Sequence, residues 1–424
     1  MIKTSILIRN SIPVILFLLL QLFPGRVYAQ EPRYDLYELI ELGLQQSIPY
    51  QTDLLQNKNV YSNLISSYLD ILPSATVSTS RHFAEEKFKT AGFSLSKSIS
   101  LNEPMYFNWR RSSIDWQNAQ LDLKDNLKST AFEIFRRYMN VLESKKRFQI
   151  QENNLQIQEK IYQQVELLFY QQQRALIDLK QSEIALINAQ ISLENAEIQY
   201  RQARENLFLY LNIGDLGYDF IDPIIEISQD EIEYSEPVEL IQAENNLKKS
   251  SISLWQTKLD YLPSLSLSYS YNYRYPGEYV TDNLFDFGKY DDSYTIALTA
   301  SYSLFNLLQH GQVYRRNHRN LRVQEMQYDY LVNTKENQFE QLIREWDNQN
   351  RIYRLAERRQ ELAVDNLNMA QERFDLGMMS LLELDQATSD YLEAELDLSS
   401  RYYQLLIKQE EINLFLSRRI LDRW

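Results

Sequence analysis

Chemistry-bearing side chains are few and scattered in this 424-residue chain. The only histidines are His82, His310 and His318. One lies near a strand and two lie eight residues apart near a helix start, which makes no metal triad. Cysteine is absent, which excludes a disulfide scaffold, thiol catalysis, cysteine-bound metal and an N-terminal lipid-anchored cysteine. No glycine-rich phosphate loop occurs. The 58 Asp and Glu residues can be paired on paper for acid–base work, but no pocket-building sequence accompanies them. They read as a solvated coat on long helices. Tyr269, Tyr271, Tyr273, Tyr275, Tyr294 and Tyr302 read as strand and rim residues rather than a binding cage. No cofactor is expected, and a formal net charge of −14 argues against a nucleic-acid partner.

The elements that carry these residues are unusual. The chain has 9 glycines and 10 prolines, with no proline between Pro104 and Pro223 and none after Pro276. Those blocks lack the strongest helix breaker and contain too few turns for a conventional α/β enzyme. Within them apolar residues recur every seven positions: Leu127, Ile134, Val141 and Phe148; Leu179, Leu186, Leu193, Tyr200 and Leu207; Leu384, Tyr391, Leu398, Leu405 and Ile412. Seven-residue recurrence buries one seam in a coiled-coil manner. The expected helices are 109–170 with its return 177–211, and 310–373 with its return 380–417. The first is about 90 Å long at 1.5 Å per residue. The turns fall at Gln171–Arg174 and near Gly377. Gly377 supplies a positive φ at a helix end, whereas the first turn has no such glycine.

The chain repeats. Tyr68-Leu69-Asp70-Ile71-Leu72-Pro73-Ser74 is answered by Lys258-Leu259-Asp260-Tyr261-Leu262-Pro263-Ser264, and the Leu179 and Leu384 series match at an offset of 205. Two structural repeats are expected, 30–212 and 235–424, joined by a crossover at 213–234. Each begins with a helix (35–70 and 237–261) and continues into two strands, 74–83 and 90–101, then 264–275 and 293–304. Before them, Lys3 and Arg9 precede an apolar run from Ile12 to Phe23, and 1–29 reads as a secretory signal cut after Ala29.

The strands alternate small polar with apolar or aromatic residues over the roughly 9–11 positions that a membrane β-strand needs. A soluble sheet with one wet face is the alternative. Lys97 falls on the apolar side of its strand, which predicts a position near a barrel rim. Four strands cannot close a membrane barrel, and open edges in lipid are prohibitive. Copies of the chain must therefore complete it, two giving eight strands and three giving twelve. The acidic 276–292 segment, with Glu278, Asp282, Asp286, Asp291 and Asp292, reads as an extracellular loop.

These features resemble the TolC-like outer-membrane efflux protein family. The residues that carry the resemblance are Leu39-Ile40-Glu41-Leu42-Gly43-Leu44, the repeated Leu-Pro junctions, Phe305-Asn306 leading to Gly311, and above all the stretch from Glu372-Arg373-Phe374-Asp375-Leu376-Gly377 through Met378-Met379-Ser380-Leu381-Leu382-Glu383-Leu384. The resemblance implies a mixed fold, with a membrane β-barrel and long antiparallel coiled-coil helices that form an α-helical barrel. It implies a homotrimer with four strands per protomer in a twelve-stranded shared barrel, set in outer-membrane lipid. A periplasmic adaptor protein and an inner-membrane pump would meet the helical tips and pass small-molecule cargo into a passive duct. Protein secretion and metal efflux use the same architecture, and a periplasmic coiled-coil adaptor or structural protein is the alternative of another class.

The family lines its periplasmic aperture with carboxylates just after the second tip turn. Glu383 matches one aspartate of that pattern. Gln386 occupies the other position and departs from it, and Asp385 lies beside it. Asp178 is the counterpart of Glu383 in the first repeat. Gly377, Gln172 and Arg174 are the tip-turn candidates.

Overall fold

The computed structural model describes residues 33–82, 87–100, 104–225, 227, 232–274, 287–302 and 307–423. The expected secretory signal, most of the acidic loop (Glu278, Asp282 and Asp286) and Phe305-Asn306 lie outside these residues. The chain opens with a short strand β1 (Arg33–Tyr34) and helices α1 (Leu36–Gln46) and α2 (Ile48–Leu69). Strands β2 (Ser74–His82) and β3 (Lys87–Ser100) follow, then the 67-residue helix α3 (Pro104–Tyr170) and its return α4 (Leu176–Leu211). After β4 (Asp219–Phe220) the second repeat has α5 (Val238–Leu259), β5 (Ser264–Arg274), β6 (Asp291–Ser301), the 69-residue α6 (Leu307–Asp375) and its return α7 (Leu381–Phe415).

The helix expected over 35–70 is two helices, parted at Ser47. Pro49 stands at the start of α2; it has no N–H to continue α1, and its ring would clash with the carbonyl four residues back. Just before the break, α1 packs closely on α3 and α4. A Cβ on Gly43 would lie 2.3 Å from Ile134 Cδ1 and 2.7 Å from Leu211 Cδ2, so only glycine lets α1 approach α3 and α4. Around this point a core forms from Leu36, Leu39, Ile40, Ile134, Phe135, Tyr138 and Leu211, all fully buried. The Tyr138 hydroxyl donates to the Tyr34 carbonyl at 2.9 Å, tying the parallel β1–β4 pair to the middle of α3.

The long helices span the whole helical body and the shorter ones share its length. α2 and α5 pack on α3 and α6 near the strands, and α4 and α7 pack on them farther away. α5 starts where α7 ends: the Ser235 hydroxyl donates to the Leu416 carbonyl at 2.7 Å, and Val238 N–H donates to Ser417 Oγ at 3.3 Å. The result is a layer four elements wide. Its helix order is α2-α3-α5-α6 near the strands and α4-α3-α7-α6 beyond. The antiparallel sheet has the matching order β2-β3-β5-β6.

The register sorts the sheet into two faces. Across the four strands, Val77 aligns with Phe93 and Tyr273; Lys97 with Tyr269 and Ile296; and Ile99 with Leu267 and Leu298. The opposite face aligns Ser74 with Ser96, Ser270 and Thr295, and Ser98 with Ser268 and Ala297. The apolar face is uncovered: Val77 is 82%, Ile296 67% and Leu298 69% exposed. The opposite face is open too, with Ser74, Thr76, Thr295 and Thr299 exposed. Lys97 donates to the carbonyl of Asp70, the C-cap of α2, so its ammonium leaves the apolar face for the helix end at the foot of the sheet.

Candidate functional site at the helical tips

The two hairpin tips are built to the same plan. In the first, Gln172 N–H donates to the Phe169 carbonyl at 2.9 Å and Gln173 N–H to the Leu168 carbonyl at 2.8 Å. In the second, Gly377 N–H donates to the Phe374 carbonyl at 3.0 Å and Met378 N–H to the Arg373 carbonyl at 2.8 Å. Every pair is offset by 205. This is a Schellman ending, whose C′ residue must take a left-handed backbone. Gly377 does so at φ 71° and Gln172 at φ 62°. A glutamine thus fills the position that glycine fills in the second repeat, at a conformational cost of about 1 kcal/mol.

The start of each return helix differs. Ser380 caps α7: its Oγ accepts from Glu383 N–H at 3.3 Å, while the Ser380 N–H and hydroxyl donate to Glu383 Oε2 at 2.9 and 2.7 Å. This capping box satisfies the helix's first free donors. Ala175, the counterpart of Ser380, makes no side-chain cap. Asp178 sits at the third residue of α4, half-exposed. Arg174 joins the tips: its guanidinium donates to the Met379 carbonyl at 3.2 Å and lies 4.8 Å from the centre of the Phe374 ring. Gln164 of α3 adds a bond to Asp375 at 2.9 Å.

The carboxylates divide by environment. Glu383 is exposed, and the Ser380 backbone N–H, then its hydroxyl, hold it below the usual carboxylate range. It therefore stays charged. Asp385, two residues on, turns partly into the protein. Its Oδ1 is buried without a hydrogen-bond partner, and desolvation pushes its pKa up to about 6. Gln386 is exposed and donates to Asp390 at 2.9 Å. Beneath these residues Leu381, Leu384 and Ala387 pack with Phe374, Ala370 and Leu367 of α6 and with Ile161 and Val165 of α3. Among the described residues no group of three His, Asp or Glu side chains is placed to hold a metal ion, and His310 and His318 lie beside Tyr261 and Tyr314.

Four further seven-residue series escaped the sequence reading. Ala356, Ala363 and Ala370 on α6, with Ala387 and Ala394 on α7, are buried, and these small residues let the two helices of the hairpin approach closely. Ile177, Ile184, Ile191 and Ile198 on α4, and Leu355, Leu362, Met369 and Leu376 on α6, form two apolar stripes between 48% and 70% exposed. Their spacing was visible in the sequence. That they remain uncovered is visible only once the helices are packed.

A family model for outer membrane efflux proteins matches residues 236–417, which include the Glu372–Leu384 stretch. No curated protein matches the sequence. Solved structures do. A membrane protein from Pseudomonas aeruginosa superposes with a TM-score of 0.77 at 14% identity, covering 93% of this chain and 92% of that one. The VceC outer membrane protein of Vibrio cholerae gives 0.74 at 13%, covering 91% and 96%. The CmeC outer membrane channel of Campylobacter jejuni gives 0.72 at 15%, covering 90% and 85%. The fold is that of the TolC-like outer-membrane efflux channels. In it, the four-stranded sheet stands at one end of the long hairpins and the paired tips at the other. The second repeat carries the efflux-protein sequence pattern, and the first repeats its Schellman ending bond for bond.

Proposed function

We propose that three copies of this chain form a passive outer-membrane exit duct, through which small molecules leave after delivery by an inner-membrane pump and a periplasmic adaptor. The reading rests above all on the sheet, one face of which is mostly apolar across all four strands and the other mostly serine and threonine. A soluble sheet hides its apolar face. This one leaves it uncovered, as a lipid-embedded barrel wall does.

The edges support head-to-tail closure. β2, α2 and α4 lie along one side of the four-element layer, and β6 and α6 lie along the other. The isoleucine stripe of α4 is on the first side and the leucine–methionine stripe of α6 on the second. Repeat symmetry gives the pairing. α3 and α6 are counterparts, as are α4 and α7, so the α3–α7 contact within a protomer has its counterpart in α6 meeting α4 of the next copy. A heterologous contact of this kind closes a ring. Three copies give twelve strands. Two would give eight, and an eight-stranded barrel is largely filled by its own side chains.

At the tips, three Glu383 carboxylates would form an anionic ring that favours cations. Asp385 lies beside it as a carboxylate that water only partly reaches. The duct itself needs no catalytic group, and its energy comes from the pump. Native mass spectrometry of the detergent-extracted mature protein tests the assembly. A membrane-fraction species of three protomers is expected. A water-soluble monomer would refute it.

A further inference from the structure

The helices just beneath the sheet carry a charge opposite to that of the chain. Residues 307–324 contain Arg315, Arg316, Arg319 and Arg322 and no carboxylate; 104–114 contain two arginines and none; 246–259 contain three lysines and none, and of these Lys248 and Lys249 pair with Glu244 and Asp115 just outside the segments. The whole chain has a formal net charge of −14. Arg315, Arg316 and Arg319 are exposed, and none is ion-paired among the described residues. Arg322, lower on α6, meets the first carboxylate at Glu325, 3.1 Å away. At the starts of α3 and α6 helix electrostatics do not call for this band, since a helix start favours acidic side chains; Lys258, in the last turn of α5, is the exception.

Aromatic rings share the level. Trp255 is 60% exposed, and the Lys258 ammonium lies 4.8 Å from the centre of its ring. The neighbouring α5 residues point elsewhere: Gln256 accepts from Arg111 of α3 at 3.0 Å and Thr257 from Asn317 of α6 at 2.6 Å. Trp255 and Lys258 thus occupy the face turned away from both neighbours. Lys97, bonded to the Asp70 carbonyl, places the end of the apolar face next to the helix ends. Arg315 lies eight residues below Leu307, about 12 Å at 1.5 Å per residue. Headgroups extend roughly 5–7 Å beyond the hydrocarbon, a long side chain can reach back toward them, and the Debye length is about 8 Å.

We propose that this basic and aromatic band is a docking surface for anionic phospholipid headgroups of the leaflet facing the helices, with Arg315, Arg316 and Arg319 meeting the phosphates and the Trp255–Lys258 pair anchoring at the interface. The proposal rests on the sheet lying in a membrane. It fits a lipid surface because the positive band begins within side-chain reach of the headgroup level, at Arg315 and the Trp255–Lys258 pair, while the chain as a whole is acidic.

The test uses the mature protein in vesicles of equal phosphatidylglycerol and phosphatidylcholine, with brominated chains on one lipid or the other. Tryptophan quenching then reports which lipid is enriched at the protein. In low salt we expect phosphatidylglycerol enrichment of about fivefold or more, falling toward parity in about 0.5 M salt, where the charges are screened. Trp255→Phe should remove a large share of the quenching. The triple variant R315Q/R316Q/R319Q should abolish the preference, and the arginine-to-lysine triple should retain it. Equal quenching by both lipids in the wild-type protein, or a preference that survives the glutamine triple, overturns the proposal. So does a glutamine triple that alters single-channel ion selectivity and leaves the lipid ratio unchanged, because the arginines would then line the bore. A wild-type protein that conducts without lipid preference removes only this proposal; one that fails to enter vesicles removes the duct reading as well.

Discussion

Glu383 and Asp385 lie two residues apart on α7, and the protein treats them in opposite ways. Glu383 is held ionised by its own helix cap. Glutamine at the same position can still bond back to the Ser380 N–H, so Glu383→Gln removes the charge and keeps the turn. If this residue lines the aperture, the variant will show weaker cation selectivity and weaker divalent-ion block in single-channel records. Asp385 has its folded pKa raised, and the sign follows from proton binding. Between the ordinary aspartate value and about 6 the folded state holds more protons than the unfolded one, so its contribution to stability is present at low pH and is lost as pH rises through about 6. Asp385→Asn should therefore stabilise the protein at neutral pH by about 1 kcal/mol, a figure discounted for the water that still reaches the group. At pH 4 it should have little effect. Thermal unfolding of the detergent-solubilised protein at the two pH values reads the difference. The glutamine at the first tip gives a third expectation: Gln172→Gly relieves a left-handed backbone and should stabilise that turn by up to about 1 kcal/mol, measured in the same unfolding experiment.

The strands and long helices show how far periodicity carries. Alternation along β5 and β6 and the seven-residue series in α4 and α7 were legible in the sequence because each reports a local backbone period. The tip at Gln172 was legible only as a turn without glycine, since its left-handed geometry is imposed by the Schellman bonds. The division of the first helix at Ser47 is signalled by Pro49, but the long helical pattern around it conceals the break. The alanine seam and the uncovered stripes depend on which faces meet, and spacing alone does not give that. These assignments make two predictions. On the sheet, Ile296→Arg puts a charge on the lipid face and should cost about 2–4 kcal/mol near the bilayer midplane, whereas Thr295→Arg, on the serine face, should be tolerated. Folding yield into vesicles compares them directly. On α4, Ile184→Glu together with Ile191→Glu should leave the protomer helical by circular dichroism and dissociate the oligomer on a native gel. An oligomer that withstands both charges would show that this stripe is not the contact between copies.

At the scale of the whole molecule, one layer four elements wide runs through sheet and helices, and it is open on the same two edges throughout. A single protomer leaves β2 and β6 with free backbone edges, each unsatisfied group costing several kcal/mol in hydrocarbon. The scarcity of proline and glycine is part of the same design, because hairpins this long tolerate few interruptions. The identity of the contact between copies was the part least legible in the sequence: arithmetic allowed eight strands or twelve, the family resemblance implied three copies, and the space a duct requires supports that proposal. Planar-bilayer recording of the purified oligomer tests this account most directly. It predicts discrete, long-lived conductance steps from the three-protomer species, with none from the dissociated α4 double variant. A pure three-protomer species that inserts into the bilayer and passes no current would contradict it.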